Sequence, residues 1–306
     1  MHLPSSFIER IHRVFGDDGR AWLPHLPDIV RQCRDKWDLS DGVMNSNMSL
    51  NYIEFTTTAD GTTVALKIGV PHSELFTEME TLRLYDGSRS ARLMDADRAL
   101  GAILMQHLKP GTILRQLKDN RQETEIAASI ISELTVPVPS THQLPSFSGW
   151  VERAFRLTRT TWDLEERMPR DLLDRAEQAF TEILQSSNGD VILHGDLHHE
   201  NILLDEQGGW TAIDPKGVTG PHCLETGRYL LNFLPENLTM TDREKMVRER
   251  VAIFSAELGY SVACIAACGL VDSVLGHCWS FEEENLSDDW NEGVEQIRIL
   301  ERMLGT

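Results

Sequence analysis

His194-Gly195-Asp196-Leu197-His198-His199-Glu200-Asn201-Ile202-Leu203-Leu204 is the stretch on which the reading of this chain turns. It places a carboxylate, Asp196, five residues before a side-chain amide, Asn201, in a short polar loop. Apolar triplets at 191–193 and 202–204 flank the loop and predict short buried strands that pin both its ends. Ten residues past Leu204, Ile213-Asp214-Pro215-Lys216-Gly217 brings a second carboxylate to the end of another strand, Trp210 to Ile213. The turn Asp205-Glu206-Gln207-Gly208-Gly209 precedes that strand. The alternative is an ordinary Asn-containing hairpin, but it leaves the spacing and the downstream aspartate unexplained.

An H-x-D-x-x-x-x-N loop followed by a strand-end aspartate is what phosphoryl transfer requires. One carboxylate must meet an incoming hydroxyl, while an amide and a second carboxylate hold a metal ion on the phosphates. Asp196 is therefore the candidate catalytic base. Asn201 and Asp214 are the candidate ligands of Mg²⁺, a hard ion that takes oxygen donors. His194 is assigned to the catalytic loop as the group that orients it. His198 and His199 are set aside as metal ligands, since imidazole suits softer ions.

Upstream, the chain reads as two helices (5–15 and 26–37) and then a strand-rich region. Tyr52 to Thr58, the Asp60-Gly61 turn and Thr63 to Ile68 predict a hairpin. Lys67 ends Val64-Ala65-Leu66-Lys67, close to the strand motif whose lysine meets the α- and β-phosphates of ATP. A helix capped by Ser73 and running to about Leu84 offers Glu74, Glu78 and Glu80 as the lysine's partner. Glu78 is chosen, because Leu82 and Tyr85 follow it at helical spacing. No Gly-rich phosphate loop occurs at 41–63; Asn45-Ser46-Asn47-Met48-Ser49 stands in its place. Ser46 and Ser49 are candidate phosphate contacts there, or members of a plain polar turn. Strands near 91–95 and 101–107 end at Gln106-His107-Leu108, where the backbone of Gln106 and Leu108 is the candidate adenine contact and Met105 its back wall.

Beyond Lys109-Pro110-Gly111 the reading is helical, at 120–134, 169–186, 222–233, 241–258, 261–278 and 289–304, with a proline-rich loop at 137–145. The expectation is an α+β chain with a small antiparallel β-sheet N-lobe (1–106) and a helix-rich C-lobe (107–306).

The formal charge of −19 argues against nucleic acid or an anionic membrane as partner, and suits either simple solubility or a cationic substrate. Between 271 and 306, nine acids stand against two arginines. Glu282, Glu283, Asp288 and Asp289 in this run are candidate acceptor-binding groups, and a solvated face is the alternative. The five cysteines include no C-x-x-C pair, and read as buried free thiols in preference to a metal site at Cys264 and Cys268. The N-terminal segment has neither the basic head nor the apolar stretch of a signal peptide, so a cytoplasmic protein is expected, monomeric or homodimeric.

Longer strings extend the pattern. They are Gly19 to Pro27 (GRAWLPHLP), Trp37-Asp38-Leu39, Leu108-Lys109-Pro110-Gly111, His194 to His198, Ile213 to Gly217 (IDPKG) and Glu225 to Asn232 (ETGRYLLN). With them the chain, from about residue 8 to 300, resembles the aminoglycoside phosphotransferase superfamily. Within it the likeness is to the aminoglycoside 6-phosphotransferase / hydroxyurea phosphotransferase group. The resemblance implies a two-lobed protein-kinase-like fold that moves the γ-phosphate of ATP, with Mg²⁺, to a hydroxyl of a small molecule. It also implies that Glu225 braces the catalytic region. The implied acceptor is an aminoglycoside of streptomycin type, with hydroxyurea, a sugar or an amino alcohol as the alternatives, and a nucleotide-binding pseudokinase further off. Two departures stand out: His199-Glu200 where relatives carry a small residue before the asparagine, and Leu134-Thr135-Val136-Pro137-Val138-Pro139 lacking the family's histidine.

Overall fold

A computed structural model describes residues 2–161, 168–282 and 290–305, in two compact units, 1–109 and 110–306. The division falls three residues beyond the expected 106/107 boundary, and local bonding explains the shift. His107 stacks on Phe55 of the first unit, with ring centroids 4.1 Å apart. Gly111 makes the first backbone bond into the second unit, to the Leu204 carbonyl at 3.1 Å.

The first unit opens with α1 (Ser5–Trp22) and α2 (Leu26–Trp37). The helix expected at 5–15 continues past Gly16, whose φ of 54° kinks it. A five-stranded antiparallel sheet follows in the order β1-β2-β3-β5-β4: β1 Val43–Met44, β2 Tyr52–Thr57, β3 Thr63–Ile68, β4 Leu93–Asp97, β5 Ala102–Gln106. Between β3 and β4 runs α3 (Ser73–Tyr85), which His72, not Ser73, precedes at the cap position. Alternation along β2 and β3 sorts side chains by face. Tyr52, Glu54 and Thr56 stand opposite Ile68, Leu66 and Val64, and this face packs on Phe7, Ile11, Leu26, Val30 and Cys33 of α1 and α2. The buried Glu54 on that face is clamped by Arg34 of α2 through bonds of 2.9–3.1 Å. Lys67, one residue after Leu66, therefore points to the other face, toward α3.

The second unit holds a three-stranded sheet, β10-β7-β6, and a hairpin, β8-β9. Its strands are β6 Val136–Pro137, β7 Asp190–Leu193, β8 Ile202–Leu204, β9 Trp210–Ala212 and β10 Val218–Pro221. Proline-containing β6 and β10 both lie at the edges, where a missing N–H costs no ladder bond. The helices are α4 (Asn120–Glu133), α5 (Phe147–Thr161), α6 (Arg170–Ser186), α7 (Gly227–Leu231), α8 (Met240–Leu258), α9 (Val262–Glu282) and α10 (Trp290–Met303). The helix expected at 222–233 divides into a 3₁₀ turn, His222–Thr226, and α7. α5 was not expected at all. α9 is long and apolar enough to span a bilayer, with mean hydropathy 1.6, but it is the core helix of this unit, packed by α5, α6, α7, α8 and α10.

Candidate active site

In the second unit β7 delivers the loop of His194 to Asn201 and the β8-β9 hairpin carries it on toward Asp214. Backbone bonds tie the two segments: Ile213 N–H to the Asn201 carbonyl at 2.9 Å, and Gly217 N–H to the His194 carbonyl at 3.1 Å. The His194 ring adds a third tie, donating from Nε2 to the Ile213 carbonyl at 2.8 Å, while its Nδ1 accepts the Asp196 N–H at 3.3 Å. Burial lowers the His194 pKa to about 4, so the ring is neutral with the proton on Nε2. Gly195 has φ +77°, and a Cβ there would sit 2.9 Å from Val218. The loop can therefore turn beneath β10 only with glycine. Asp214 also has positive φ, at 58°, a conformation that aspartate tolerates better than most residues.

Glu225, in the 3₁₀ turn, grips the start of the loop. Its carboxylate accepts the N–H of His194 at 2.5 Å and of Gly195 at 3.2 Å. Burial raises its pKa to about 7, against the lowering effect of these two N–H groups. Asn201 donates from Nδ2 to the Asp196 carbonyl at 2.9 Å, which turns its Oδ1 away from that bond. His198 caps the short 3₁₀ turn His199–Asn201 by accepting the Glu200 N–H at 3.2 Å.

Asp196 has a charged environment that sequence reasoning missed. Arg228 Nε lies 3.3 Å from Asp196 and 3.5 Å from the buried Asp272 of α9. Burial pushes the Asp196 carboxyl up, but Arg228 and then Lys216 hold it below the usual carboxylate range. Asp272 moves the other way, raised by burial against the pull of Arg228. Trp279 presents its ring to both cations, 5.3 Å from Lys216 Nζ and 5.7 Å from Arg228 Cζ. A cavity of about 240 Å³ adjoins Arg228 and Asp272, lined also by Asn232, Ser273, His277 and Gln296. The clue to Arg228 was its place in the Glu225-Thr226-Gly227-Arg228 string; nothing local marked Asp272, which sits in an apolar helix.

His199, one of the departures, is a structural pillar. It is buried, stacks on Tyr229 at 3.9 Å, and accepts from Arg250 Nη2 at 3.3 Å. Arg250 is itself 1% exposed and bonds the carbonyls of Tyr229, Leu230 and Asn232. Burial and then Arg250 lower the His199 pKa to about 2. Glu200 pairs with Arg115 at 2.7 Å at the surface.

In the first unit, Lys67 Nζ meets both oxygens of Glu78, at 2.7 and 2.8 Å, and both side chains are buried. Met48, 2% exposed, anchors the loop that leaves Ser46 and Ser49 exposed. Gln106 N–H donates to the Arg92 carbonyl at 2.9 Å, and Leu108 is buried. Of the expected acceptor acids, Glu283, Asp288 and Asp289 lie outside the described residues, and Glu282 enters only as the last position of α9.

The chain is 29% identical to a streptomycin 6-kinase of Streptomyces griseus over 290 residues, 92% of each protein. It is 30% identical to a hydroxyurea phosphotransferase of Kitasatospora aureofaciens, over 76% of this chain and 68% of that one. Its fold superposes on a choline kinase of Streptococcus pneumoniae with TM-score 0.61 at 14% identity, covering 92% of this chain and 99% of the other. The fold is thus the two-lobed protein-kinase-like α+β fold, and the protein is an ATP-using phosphotransferase. The sequence profile of the aminoglycoside/hydroxyurea antibiotic resistance kinases matches residues 36–283, and the chain belongs to that family.

Proposed function

We propose that this kinase transfers the γ-phosphate of ATP to a hydroxyl of a streptomycin-type aminoglycoside. The observation that carries the reading is the loop pair on which Asp196, Asn201 and Asp214 are bonded into one rigid unit. Such transfer depends on positioning and charge neutralisation more than on covalent chemistry. Asp196, kept ionised by Arg228 and Lys216, accepts the proton of the acceptor hydroxyl. His194 is neutral and bonded through both nitrogens, so it positions the loop and carries no proton in the reaction.

Asn201 Oδ1 and the Asp214 carboxylate form an all-oxygen donor set suited to Mg²⁺. The ion, when bound, offsets charge on the phosphates. Lys67, oriented by Glu78, anchors the α- and β-phosphates, and the exposed Ser46 and Ser49 are the further phosphate contacts of this reading. The Gln106 carbonyl and the Leu108 N–H are the adenine contacts, since the Gln106 N–H is taken by Arg92.

For the acceptor, the cavity beside Asp272 supplies a carboxylate, amides and hydroxyls, which suit an aminocyclitol bearing guanidinium groups. The streptomycin 6-kinase relative supports this choice, and the hydroxyurea phosphotransferase relative gives hydroxyurea as the second reading. An ADP-release assay over streptomycin, other aminoglycosides, hydroxyurea and choline, with ³¹P NMR of the product, tests it. A phosphorylated streptomycin-type product is expected. Turnover with hydroxyurea alone would favour the second reading, and turnover with neither would overturn both.

A further inference from the structure

All five cysteines are free and four are buried, as expected, but three of them meet. Cys264 and Cys268 are four residues apart on one face of α9, and the 3₁₀ turn brings Cys223 against them. The three sulfur atoms all lie within 4.8 Å of one another; Cys223 and Cys268 are buried and Cys264 is half-exposed. The contact is set by close backbone approach: a Cβ on Gly227 would stand 2.7 Å from the Cys268 carbonyl oxygen. Sulfurs sharing one metal ion at about 2.3 Å stand about 4 Å apart, so the cluster closes on an ion with small shifts. His222, one residue before Cys223, has both ring nitrogens engaged and does not serve as a ligand. His222 Nε2 donates to the Ile131 carbonyl at 2.9 Å, which leaves Nδ1 to accept from the Tyr260 hydroxyl, also at 2.9 Å.

We propose that Cys223, Cys264 and Cys268 form a three-sulfur site for a thiophilic d¹⁰ cation of the zinc and copper(I) class, and that its occupancy bears on the catalytic loop. Each S–H bond is replaced by a sulfur–metal bond, and the released protons go to solvent. Soft thiolates select such ions over Mg²⁺, so the site does not compete for the phosphotransfer metal. Cys264 is the point of entry. Cys223 stands two residues before Glu225, whose carboxylate holds the His194 and Gly195 N–H groups. Drawing Cys223 onto an ion therefore moves the turn that grips the loop.

The test uses the reduced full-length protein under anaerobic conditions, with Cd²⁺ as spectroscopic probe and Zn²⁺ and Cu⁺ as competitors. Expected are thiolate-to-cadmium charge-transfer absorbance saturating at one equivalent, and protection of three thiols from a thiol-reactive dye. Displacement by Zn²⁺ or by Cu⁺ identifies the better-fitting ion. Cys264→Ser should weaken Cd²⁺ binding by about 100-fold or more, whereas Cys278→Ala, on the same helix but outside the trio, should not. Equal binding by wild type and Cys264→Ser would overturn the site. So would a Cys223–Cys264 disulfide in the isolated protein together with no Cd²⁺ uptake after reduction. Streptomycin-independent ATP hydrolysis and acceptor turnover, each measured with and without the ion, should change about 5-fold or more. Saturated binding with unaltered rates would overturn the coupling to the loop.

Discussion

Two ion clusters, one in each unit, are built on different plans. Lys67 and Glu78 form a bidentate pair, both carboxylate oxygens engaged at 2.7 and 2.8 Å, on a strand and a helix. Arg228 is instead shared between Asp196 and Asp272, at 3.3 and 3.5 Å, looser than a full charge-assisted hydrogen bond. On the proposed reading, the bidentate pair holds a cation in place to meet phosphate. The shared cation favours the ionised carboxylate of Asp196 without taking up its oxygens, as its proposed role as base requires. In the proposed function, charge serves orientation in the first case and availability in the second.

The comparison can be broken most directly at Asp196. Asp196→Asn should lower kcat by about 10²–10⁴-fold with the fold retained, read by ADP release and by circular dichroism. A variant that keeps near wild-type turnover would remove the availability argument. Next is the Lys67–Glu78 pair: Lys67→Met removes the cation that meets both Glu78 oxygens and should cost about 3–5 kcal/mol in urea unfolding. The KM for ATP should rise as well. Lys67→Met with Glu78→Gln should recover much of the stability but not the ATP affinity. A double variant as unstable as the single one would sink the pairing argument.

Arg228→Met should raise the Asp196 pKa, since burial then acts against one cation fewer. The acid limb of the kcat/KM profile should move to higher pH, while Asp272→Asn should move it lower. A profile unmoved by both variants would mean that Asp196 does not govern it.

A smaller effect concerns the histidines that brace the loop. His194 and His199 are neutral in the fold, with pKa values lowered to about 4 and about 2 from 6.5. Below pH 6.5 the unfolded chain gains protons that the folded chain refuses, so each costs about 1.4 kcal/mol per pH unit as pH falls. Glu225 acts oppositely. Its pKa is raised from 4.5 to about 7, so the folded state gains a proton in that window and stability rises as pH falls. These three groups together contribute a loss of about 1.4 kcal/mol per unit between pH 6.5 and 4.5, measured by urea unfolding of wild type against variants at each position. His199→Gln should flatten that slope; an unchanged slope would show that the His199 shift is not what sets it.

Local rules carried much of the fold. β3 occupies Thr63–Ile68 as its β-branched content and the Asp60-Gly61 turn predict, and α2 spans the expected 26–37. Helix α5 was hidden because Gly149 and a threonine-rich end, Thr158, Thr160 and Thr161, lower helix propensity behind a proline-rich loop. One clue was available: Ser146, whose hydroxyl accepts the Gly149 N–H at 3.0 Å. β10 was hidden by Gly220 and Pro221, which an edge strand tolerates.

By itself, the sequence determined the loop on which Asp196, Asn201 and Asp214 sit, because their spacing is a property of one short stretch of backbone. It also determined which lysine and which glutamate share a face, since strand and helix periodicity are local. Only the tertiary structure decided what surrounds Asp196 and what surrounds Cys223. Arg228 and Asp272 are forty-four residues apart, and Cys223 and Cys264 forty-one. Such pairs meet because the 3₁₀ turn and α7 pack on the core helix α9, and no local propensity encodes that contact.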